Sequence, residues 1–361
     1  MQKPKILVTV AAGKTGAATA MQLLQRGYQV RALVRQMDNR SAVLKNAGAE
    51  IMVGSLEDMV DLRASLTGVQ RAYFCPPLRP GTLRRATLFA EAAREAKLEV
   101  VVALSQWVAD PTHPAVHARE KWLSNRVFTQ IPGVDAVIVE PGWFADNYFA
   151  ALEPIAQLGL MGLPLGDGLN APPSNEDIAR VIVGALTNPG PHIGKSYRPT
   201  GPRLMSPDEI AAIMGKVLGR QVKYRNVPLT LFLKVAKSLG YSDFVIGQLY
   251  WFLQDYQANA FGVGAPTDAV LEVSGARPED FEQIARRYVA AFPYAKQTVG
   301  SKLRASKNLI KAILTIAPDI NKMGRRLEIP TLAHANLAMN SVAWLRSHRP
   351  YPRDPATASF G

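Results

Sequence analysis

The chain has little of what disulfide-bonded, zinc-binding and membrane-spanning proteins need. Its 361 residues include one cysteine, Cys75, which excludes an internal disulfide or a cysteine-based zinc site and fits a reducing compartment. No stretch approaches the roughly 20 apolar residues that cross a bilayer. The first residues lead straight into a strand pattern, without the features of a cleavable signal. We therefore expect a soluble, cytoplasmic protein.

Motifs of two common enzyme classes are also missing. The chain contains no Gly-x-Ser-x-Gly sequence, which argues against a serine hydrolase. His113 and His117 have the spacing of a metal-binding pair, but the other histidines are at positions 192, 334 and 348, and no carboxylate spacing completes a site. We therefore expect no metal centre.

Positive charge is concentrated at the C-terminal end of the chain. The overall composition, 48% hydrophobic and 20% charged residues, is that of a globular protein. Residues 293–361 contain 11 Lys and Arg against three Asp and Glu, so they carry +8 of the net charge of +13. A uniformly basic protein would suggest a nucleic-acid partner, but the first 292 residues of this chain carry only +5. We expect no nucleic-acid partner, and we expect any anionic partner to bind the C-terminal end.

Short β-branched runs alternate with helical patterns over the first 140 residues. The strands are nearly continuous apolar runs, which is typical of strands covered on both faces. This alternation predicts a doubly wound parallel sheet, a Rossmann-like α/β fold, as domain 1–150. The predicted strands are 5–10, 29–34, 50–53, 71–74, 99–104 and 136–140. The predicted helices are 15–26, 40–47, 58–66, 81–97 and 118–129.

The pattern changes after residue 141, and residues 151–292 are predicted to form a smaller, helix-rich cap with some return to the core. Glycine and proline are frequent over 158–173, which predicts a loop. Ser174 and Ser206 have the spacing of helix N-caps, the second with Glu209 in a capping box. Because ligands of doubly wound proteins bind beyond the carboxyl ends of the strands, the cap is expected to form one wall of the pocket. The other predicted elements are a strand at 195–198 and helices at 229–238, 242–258 and 279–291.

A glycine-rich turn, Val10-Ala-Ala-Gly13-Lys14-Thr15-Gly16, follows the first strand. Gly13 and Gly16 match the second and third glycines of a nucleotide-binding turn, where the backbone approaches a pyrophosphate at a helix N-terminus. Val10 occupies the first position, and a β-branched residue is poorly suited to a positive φ. The alternative is a tight strand–helix turn that binds no ligand.

Arg35 ends the second strand, 19 residues after Gly16. An acidic residue near this position binds the ribose 2′-hydroxyl of NAD, whereas an arginine accommodates the 2′-phosphate of NADP. The position of Arg35, with Arg40 downstream, favours NADP, and NAD remains the alternative cofactor. The competing interpretation is an arginine that is only solvated.

The opening sequence, ILVTVAAGKTGAATAMQLLQRGYQVRALVR, resembles the NmrA-like family, a branch of the atypical short-chain dehydrogenases/reductases. The family has TGATGKTG where this chain has TVAAGKTG. The resemblance continues through 69–77, 132–149 and 174–199 and covers about residues 1–292. The family contains NADPH-dependent quinone and dye reductases, and also redox-sensing regulators that bind the dinucleotide without turning it over.

The resemblance also implies which residues bind the cofactor. Two positions depart from the family pattern: Val10 replaces the first glycine, and Ser55 replaces an aspartate near the adenine. Both departures are expected to weaken cofactor binding without abolishing it. The implied residues are Gly13, Lys14, Thr15 and Gly16 at the pyrophosphate, Arg35 at the 2′-phosphate, and Pro76 and Pro77 beneath the adenosine ribose and the nicotinamide side.

Three residues form a candidate catalytic group. Short-chain dehydrogenases use a serine and a Tyr-x-x-x-Lys pair, in which the tyrosine transfers a proton and the lysine lowers its pKa and holds the nicotinamide ribose. This chain has Ser105 at the end of the fifth strand, and His117 and Lys121 four residues apart on one helix face. His117 takes the place of the tyrosine as a general acid near neutral pH, and Lys121 also binds the cofactor. The alternative is a partly exposed helix pair without a chemical role.

The missing tyrosine matters less for a quinone or dye, because hydride transfer then depends on the cofactor and on positioning in a dry pocket. The resemblance places Trp143, Asn147 and Tyr148 on the substrate side, and Trp107 is a further candidate. For the aromatic residues the alternative is core packing. Cys75, beside a strand end, is expected to pack as a small apolar residue.

Residues 300–317 have the pattern of a basic amphipathic helix. Such a helix lies on an anionic membrane surface, here through 300–347, or its apolar stripe packs on the parent domain or on a second subunit of a homodimer. Residues 332–347 are also predicted to be helical, and 349–361 to be disordered. The apolar face comprises Leu303, Ile310, Ile313, Leu314 and Ala317, and the basic face comprises Arg304, Lys307 and Lys311.

These patterns predict an NADP-binding, NmrA-like oxidoreductase that transfers hydride to a small quinone-, dye- or carbonyl-like acceptor. Ser105, Lys121 and the aromatic residues favour this hypothesis. The alternative, favoured by Val10 and the missing tyrosine, is a non-catalytic redox sensor that binds NADP(H) and acts through a protein partner. A third hypothesis is a membrane-docked scaffold that has lost the cofactor.

Overall fold

A seven-stranded parallel sheet forms the centre of the molecule, whose computed structural model describes residues 3–349. The strand order is β3-β2-β1-β4-β5-β6-β8, and β7 and β9 form a separate two-stranded parallel sheet. The predicted doubly wound Rossmann-like fold is therefore confirmed. The strands in residues 3–349 are β1 (Lys5–Val8), β2 (Gln29–Val34), β3 (Glu50–Val53), β4 (Arg71–Phe74), β5 (Val100–Leu104), β6 (Asp135–Val139), β7 (Leu160–Leu163), β8 (Ser196–Tyr197) and β9 (Lys223–Asn226).

Helices cover both faces of the large sheet and build the cap. Ser174 Oγ accepts a hydrogen bond from Asp177 N, and Ser206 and Glu209 form the reciprocal capping box that their spacing predicts. The helices in residues 3–349 are α1 (Lys14–Gln25), α2 (Asn39–Asn46), α3 (Met59–Leu66), α4 (Thr82–Glu95), α5 (Val116–Thr129), α6 (Asp146–Phe149), α7 (Leu152–Leu158), α8 (Asn175–Thr187), α9 (Pro207–Leu218), α10 (Leu229–Ser238), α11 (Asp243–Gln257), α12 (Ala269–Ser274), α13 (Phe281–Ala291), α14 (Val299–Leu314), α15 (Ile320–Arg326) and α16 (Val342–His348).

The central strands are buried on both faces, as their continuous apolar runs predict. In β1, Ile6 and Val8 pack in one core with α1 and α8, whereas Leu7 packs in the opposite core with α3, α4 and α5. All three side chains are fully buried, and each contributes about 1.5–3 kcal/mol relative to an exposed position. α8 and β8 thus belong to the core although they follow the first cap elements in sequence.

Two predicted elements are wrong. The segment 158–173 is not a continuous loop, because Leu160–Leu163 forms β7 and pairs with β9. The segment 332–347 is not one helix: a 3₁₀ turn at 338–340 precedes α16, which begins at Val342. Asn336 N donates to Thr112 O, so the residues before this turn are held against the core as non-helical chain.

The segment after residue 330 is anchored to the core by buried polar groups. His113 Nε2 lies 2.6 Å from Asp255 Oδ2, and both side chains are completely buried. Ala115 N donates to His113 Nδ1, so the other ring nitrogen carries the hydrogen and donates to the carboxylate. Asp255 Oδ1 accepts a second hydrogen bond from Ala338 N. Trp344 Nε1 donates to Trp107 O, which fixes α16 on the core. The predicted end segment from residue 350 onward lies outside the described residues.

Candidate active site

The carboxyl ends of β1 and β4 form the crevice at which the strand order reverses. β1 pairs with β2 on one side and with β4 on the other, so the connections that follow β1 and β4 run in opposite directions. Ligands of open α/β sheets bind at this kind of switch point. The glycine-rich turn follows β1 and Cys75 follows β4, and both therefore line the crevice.

Gly16 lies where only glycine fits. A Cβ at Gly16 would collide with Val10 O and would lie 3.0 Å from Ala11 Cα. The turn is closed by a hydrogen bond of 2.8 Å from Gly13 N to Val10 O. Gly13 is the N-cap of α1 and has no side chain with which to cap this helix. The first backbone N–H groups of α1 are thus left to bind an anion, which the positive end of the helix dipole favours.

Val10 has a backbone conformation that disfavours its side chain. Its φ is +48°, in the left-handed region that glycine adopts without strain. A β-branched residue in this region is an outlier, and the strain costs about 1–3 kcal/mol. Val10 therefore adopts the backbone conformation that the glycine at this position of the family pattern would adopt. The turn keeps its shape, but the strain lowers the stability of the chain.

The opposite wall of the crevice supplies a carboxylate that the sequence pattern does not reveal. Lys14 Nζ forms an ion pair with Asp146 Oδ2, in which Lys14 is largely exposed and Asp146 is buried. Asp146 Oδ1 is also buried, with no hydrogen-bond partner in the described part of the chain. Lys14 and Thr15 are the first residues of α1, as their assignment to the pyrophosphate requires.

Arg35 follows β2 directly and is exposed. Arg40, in contrast, forms an ion pair with Asp38, so the two arginines differ in their availability to a ligand. The neighbouring loop after β3 contains Ser55 instead of the family's aspartate. A carboxylate is nevertheless present, because Ser55 N donates to Asp61 Oδ2 of α3 at 2.8 Å.

Cys75 links the glycine-rich turn to the candidate catalytic lysine. Cys75 Sγ lies 3.9 Å from Thr15 Oγ1, and Cys75 N donates to Thr9 Oγ1. The thiol is half-buried and close enough to Lys121 to affect its pKa. Pro76 and Pro77 continue the same segment, the first buried and the second half-buried.

Lys121 and Ser105 lie together at the carboxyl end of β5. Lys121 Nζ donates to Leu104 O, the residue before Ser105. Burial lowers the pKa of Lys121 to about 8, although nearby Cys75 and Glu120 oppose the shift. Ser105 Oγ is buried and has no hydrogen-bond partner within residues 3–349. A buried polar atom without a partner is rare in folded proteins and indicates a place for a ligand.

His117 is in α5 with Lys121, one turn earlier, as predicted. The ring is buried, and its Nδ1 lies 3.2 Å from Thr82 Oγ1. Burial lowers the pKa of His117 well below its usual range, and the positive charges of Lys121 and Arg85 act in the same direction. The imidazole is therefore neutral at physiological pH, so a role for His117 as a charged general acid requires a more acidic solution.

Trp143 and Asn147 line one end of a cavity that is enclosed by cap elements and α14. The cavity encloses about 320 Å³ and is lined largely by apolar side chains of α7, β7, α10, α11 and α14. This volume is at the lower end of the range of small-molecule pockets. Asn147 is the neighbour of Asp146, so the short helix α6 lies between the glycine-rich turn and the cavity. We refer to this space as the cap cavity.

Two of the four predicted substrate-side residues face the core. Trp107 is almost fully buried, and its indole N–H donates to Ala260 O at 3.0 Å. Tyr148 is completely buried, with its hydroxyl 2.7 Å from the hydroxyl of Tyr256. Trp107 and Tyr148 therefore pack in the core, which is the alternative interpretation that the sequence allows for the aromatic residues.

The fold and the turn define a Rossmann-like protein with a dinucleotide-type crevice, and comparison with known proteins identifies the family. Residues 2–261 match the NmrA-like family, and the chain belongs to it. The NAD(P)H azoreductase of Xenophilus azovorans is 29% identical over 292 residues, which are 80% of this chain and 99% of the azoreductase.

Solved structures show the same fold. An NADPH-dependent quinone oxidoreductase of Escherichia coli, in complex with NADPH, superposes with a TM-score of 0.67 at 23% identity and covers 78% of this chain and 99% of its own. NmrA, a negative transcriptional regulator in complex with NADP, superposes with a TM-score of 0.66 at 16% identity and covers 82% of this chain and 100% of its own. Reductases and a regulator thus share this architecture.

Proposed function

We propose that this chain is an NADPH-dependent reductase that transfers hydride to a small quinone- or dye-like acceptor. One observation carries the proposal: Thr15 of the glycine-rich turn contacts Cys75 after β4, and Lys121 donates to Leu104 O at the end of the adjacent strand β5. Ser105 Oγ follows on β5 and has no hydrogen-bond partner within residues 3–349. The uncapped N-terminus of α1 and the close approach at Gly16 fit a bound pyrophosphate. The similarity to an azoreductase over nearly its whole length supports the reaction class.

Different residues of the crevice bind different parts of the cofactor. Gly13, Gly16 and the first N–H groups of α1 bind the pyrophosphate, with Lys14 above it, and Arg35 binds the 2′-phosphate. Pro76 and Pro77 pack beneath the ribose and the nicotinamide side. When bound, NADPH supplies the hydride. In this arrangement Lys121 donates to the nicotinamide ribose from a buried position.

Hydride transfer to the acceptor depends more on positioning and on exclusion of water than on a strong acid. A quinone that gains a hydride becomes a hydroquinone anion, which takes up its proton from bulk water after it leaves the crevice, so no protein acid is required. Ser105 donates a hydrogen bond to the acceptor oxygen. His117 is neutral and acts as a positioning residue for α5, and Trp143 and Asn147 lie where the acceptor position adjoins the cap cavity.

The competing function is a redox sensor that binds NADP(H) without turnover. The neutral His117 in place of a tyrosine favours this alternative. Steady-state NADPH consumption with 1,4-benzoquinone, menadione and an azo dye separates the two functions. Consumption that depends on acceptor and enzyme supports the reductase, whereas NADPH binding without consumption of any acceptor supports the sensor.

A further inference from the structure

Helix α14 has two opposite faces of different character. Its small residues Ser301, Ala305 and Ala312 are buried against α7 and α10. The opposite face carries five aliphatic side chains that are between 48% and 79% exposed. We call this face the α14 stripe; it comprises Val299, Leu303, Ile310, Ile313 and Leu314. The sequence left open whether these residues pack on the parent domain, and within residues 3–349 they do not.

Lysines flank the α14 stripe. Lys302, Lys307 and Lys311 are exposed beside it, whereas Arg304 is paired with Glu153. The helix contains no Asp or Glu, and residues 293–361 carry +8 in total. An apolar face bordered by lysines is the composition of a helix that lies in the headgroup region of an anionic bilayer. Among residues 3–349, no helix combines the length and the apolar character that crossing a bilayer requires.

A second copy of the chain is a poorer fit to the same face. In a twofold symmetric contact through the α14 stripe, each lysine row would lie close to the lysine row of the other copy. Like charges at such an interface repel each other, whereas an anionic lipid surface neutralises them. The charge pattern thus selects the lipid surface over self-association.

We propose that the α14 stripe docks on an anionic phospholipid surface, with Lys302, Lys307 and Lys311 facing the headgroups. This docking does not depend on dinucleotide binding or on hydride transfer. The aliphatic residues enter the boundary between headgroups and acyl chains, and the anionic headgroups attract the lysines.

Co-sedimentation of the full chain with vesicles tests the proposal. We expect binding to vesicles of phosphatidylcholine with phosphatidylglycerol, little binding to phosphatidylcholine alone, and loss of binding as salt is raised. Replacing the three lysines by alanine should weaken binding on the order of 100-fold. Lys45→Ala/Lys195→Ala/Lys223→Ala, which removes three exposed lysines outside α14, is the matched control and should bind like wild type.

A variant of the apolar face completes the test. Leu303→Ser/Ile310→Ser/Leu314→Ser should abolish vesicle binding, whereas Val60→Ser/Leu271→Ser, at exposed apolar residues outside α14, should not. Equal binding of all variants, or no binding of the wild type to anionic vesicles, overturns the proposal. A dimer in sedimentation velocity that the α14 variant abolishes, without lipid binding, would assign the stripe to a second copy instead.

The cap cavity opens next to this docking face. Leu239 and Lys311 line the cavity and are themselves exposed, so they mark its mouth, and Lys311 also borders the α14 stripe. The inner end of the cavity reaches Trp143 and Asn147, next to the proposed acceptor position. We infer that the cavity binds the hydrocarbon tail of the acceptor, an inference that rests on the proposed function.

Two readouts separate this inference from the proposed function. cis-Parinaric acid, a fluorescent fatty acid, should bind the protein without NADPH, and Ala151→Phe at the cavity wall should weaken its binding at least tenfold while Ala151→Ser does not. Decylubiquinone should have a KM at least tenfold below that of the same quinone without its tail. No parinaric acid binding overturns the cavity inference even if both quinones are reduced; parinaric acid binding with no reduction of any acceptor supports the cavity and contradicts the reductase.

Discussion

Lys14 of the glycine-rich turn and Asp146 of α6 form an ion pair across the crevice. The pair joins the proposed pyrophosphate position to the helix whose next residue, Asn147, lines the cap cavity. Lys14 is exposed on its other side, so a phosphate can approach it while Asp146 remains buried. In the proposed reaction, consecutive residues of one short helix would therefore lie next to the cofactor and the acceptor.

Removal of Lys14 and of Arg35 should affect the two nicotinamide cofactors differently. Lys14→Ala should weaken NADPH and NADH equally, because both contain the pyrophosphate. Arg35→Ala should weaken NADPH binding on the order of tenfold to a hundredfold, which is the contribution of hydrogen bonds to a charged group. The affinity for NADH should not change. Calorimetric titration of both cofactors measures this.

Arg40→Ala is the control for the Arg35 variant, because Arg40 is already paired with Asp38. It should retain the preference for NADPH. If Arg35→Ala lost affinity for NADPH and NADH equally, Arg35 would be excluded as the residue that binds the 2′-phosphate.

The charge of Lys121 should give the reaction a pH dependence. Burial lowers the pKa of Lys121 to about 8, so the group is a protonated donor below pH 8 and loses its proton as the pH rises through that value. We expect kcat/KM for NADPH to fall above pH 8. Lys121→Met keeps the apolar stem without the charge, and its lower activity should no longer change in this pH range. An unchanged profile in Lys121→Met would exclude Lys121 as the titrating group.

The strain at Val10 can be measured by a pair of substitutions. Val10→Gly and Val10→Ala both lose the side-chain packing, but only glycine accepts a φ of +48° without strain. The glycine variant should therefore be the more stable of the two by about 1 kcal/mol, as measured by urea unfolding. At a position with ordinary φ the order is reversed, so a more stable alanine variant would contradict the positive φ.

Cys75, the only cysteine of the chain, reports on occupation of the crevice. It lies between Thr15 and Lys121 and is half-buried. Saturating NADPH should slow its alkylation by iodoacetamide several-fold, followed by intact mass, and Cys75→Ser should take up no label. Alkylation at the same rate with and without NADPH would place the cofactor elsewhere.

The sequence predicts the crevice well because strand order determines what meets at its edge. Continuous apolar runs identify parallel strands, and the residues after them, such as Gly16, Arg35 and Ser105, come to one side of the sheet without further information. Lys121 is predicted for the same reason, since α5 returns along β5. The roles of these residues in catalysis and binding stay predictions.

The partners of these residues could not be predicted, because they are distant in sequence. Asp146 is 132 residues from Lys14, and no local pattern connects them. Trp107 is predicted near the substrate, but its indole N–H donates to Ala260 O and its carbonyl accepts from Trp344, 237 residues away. A pattern of aromatic residues after a strand does not tell whether each side chain faces the pocket or the core. The short strands β7 and β9 are equally hard to predict, because they pair with each other across a long stretch of sequence and pack against distant cap residues.

The most direct test of the account is a titration of the wild-type chain with NADPH and with NADH, followed by tryptophan fluorescence. Trp143 lies beside the proposed acceptor position and serves as a probe. We expect saturable quenching with micromolar NADPH and at least tenfold weaker binding of NADH. Absence of binding by either cofactor would mean that the Val10 turn does not admit a pyrophosphate, and it would contradict the dinucleotide site itself.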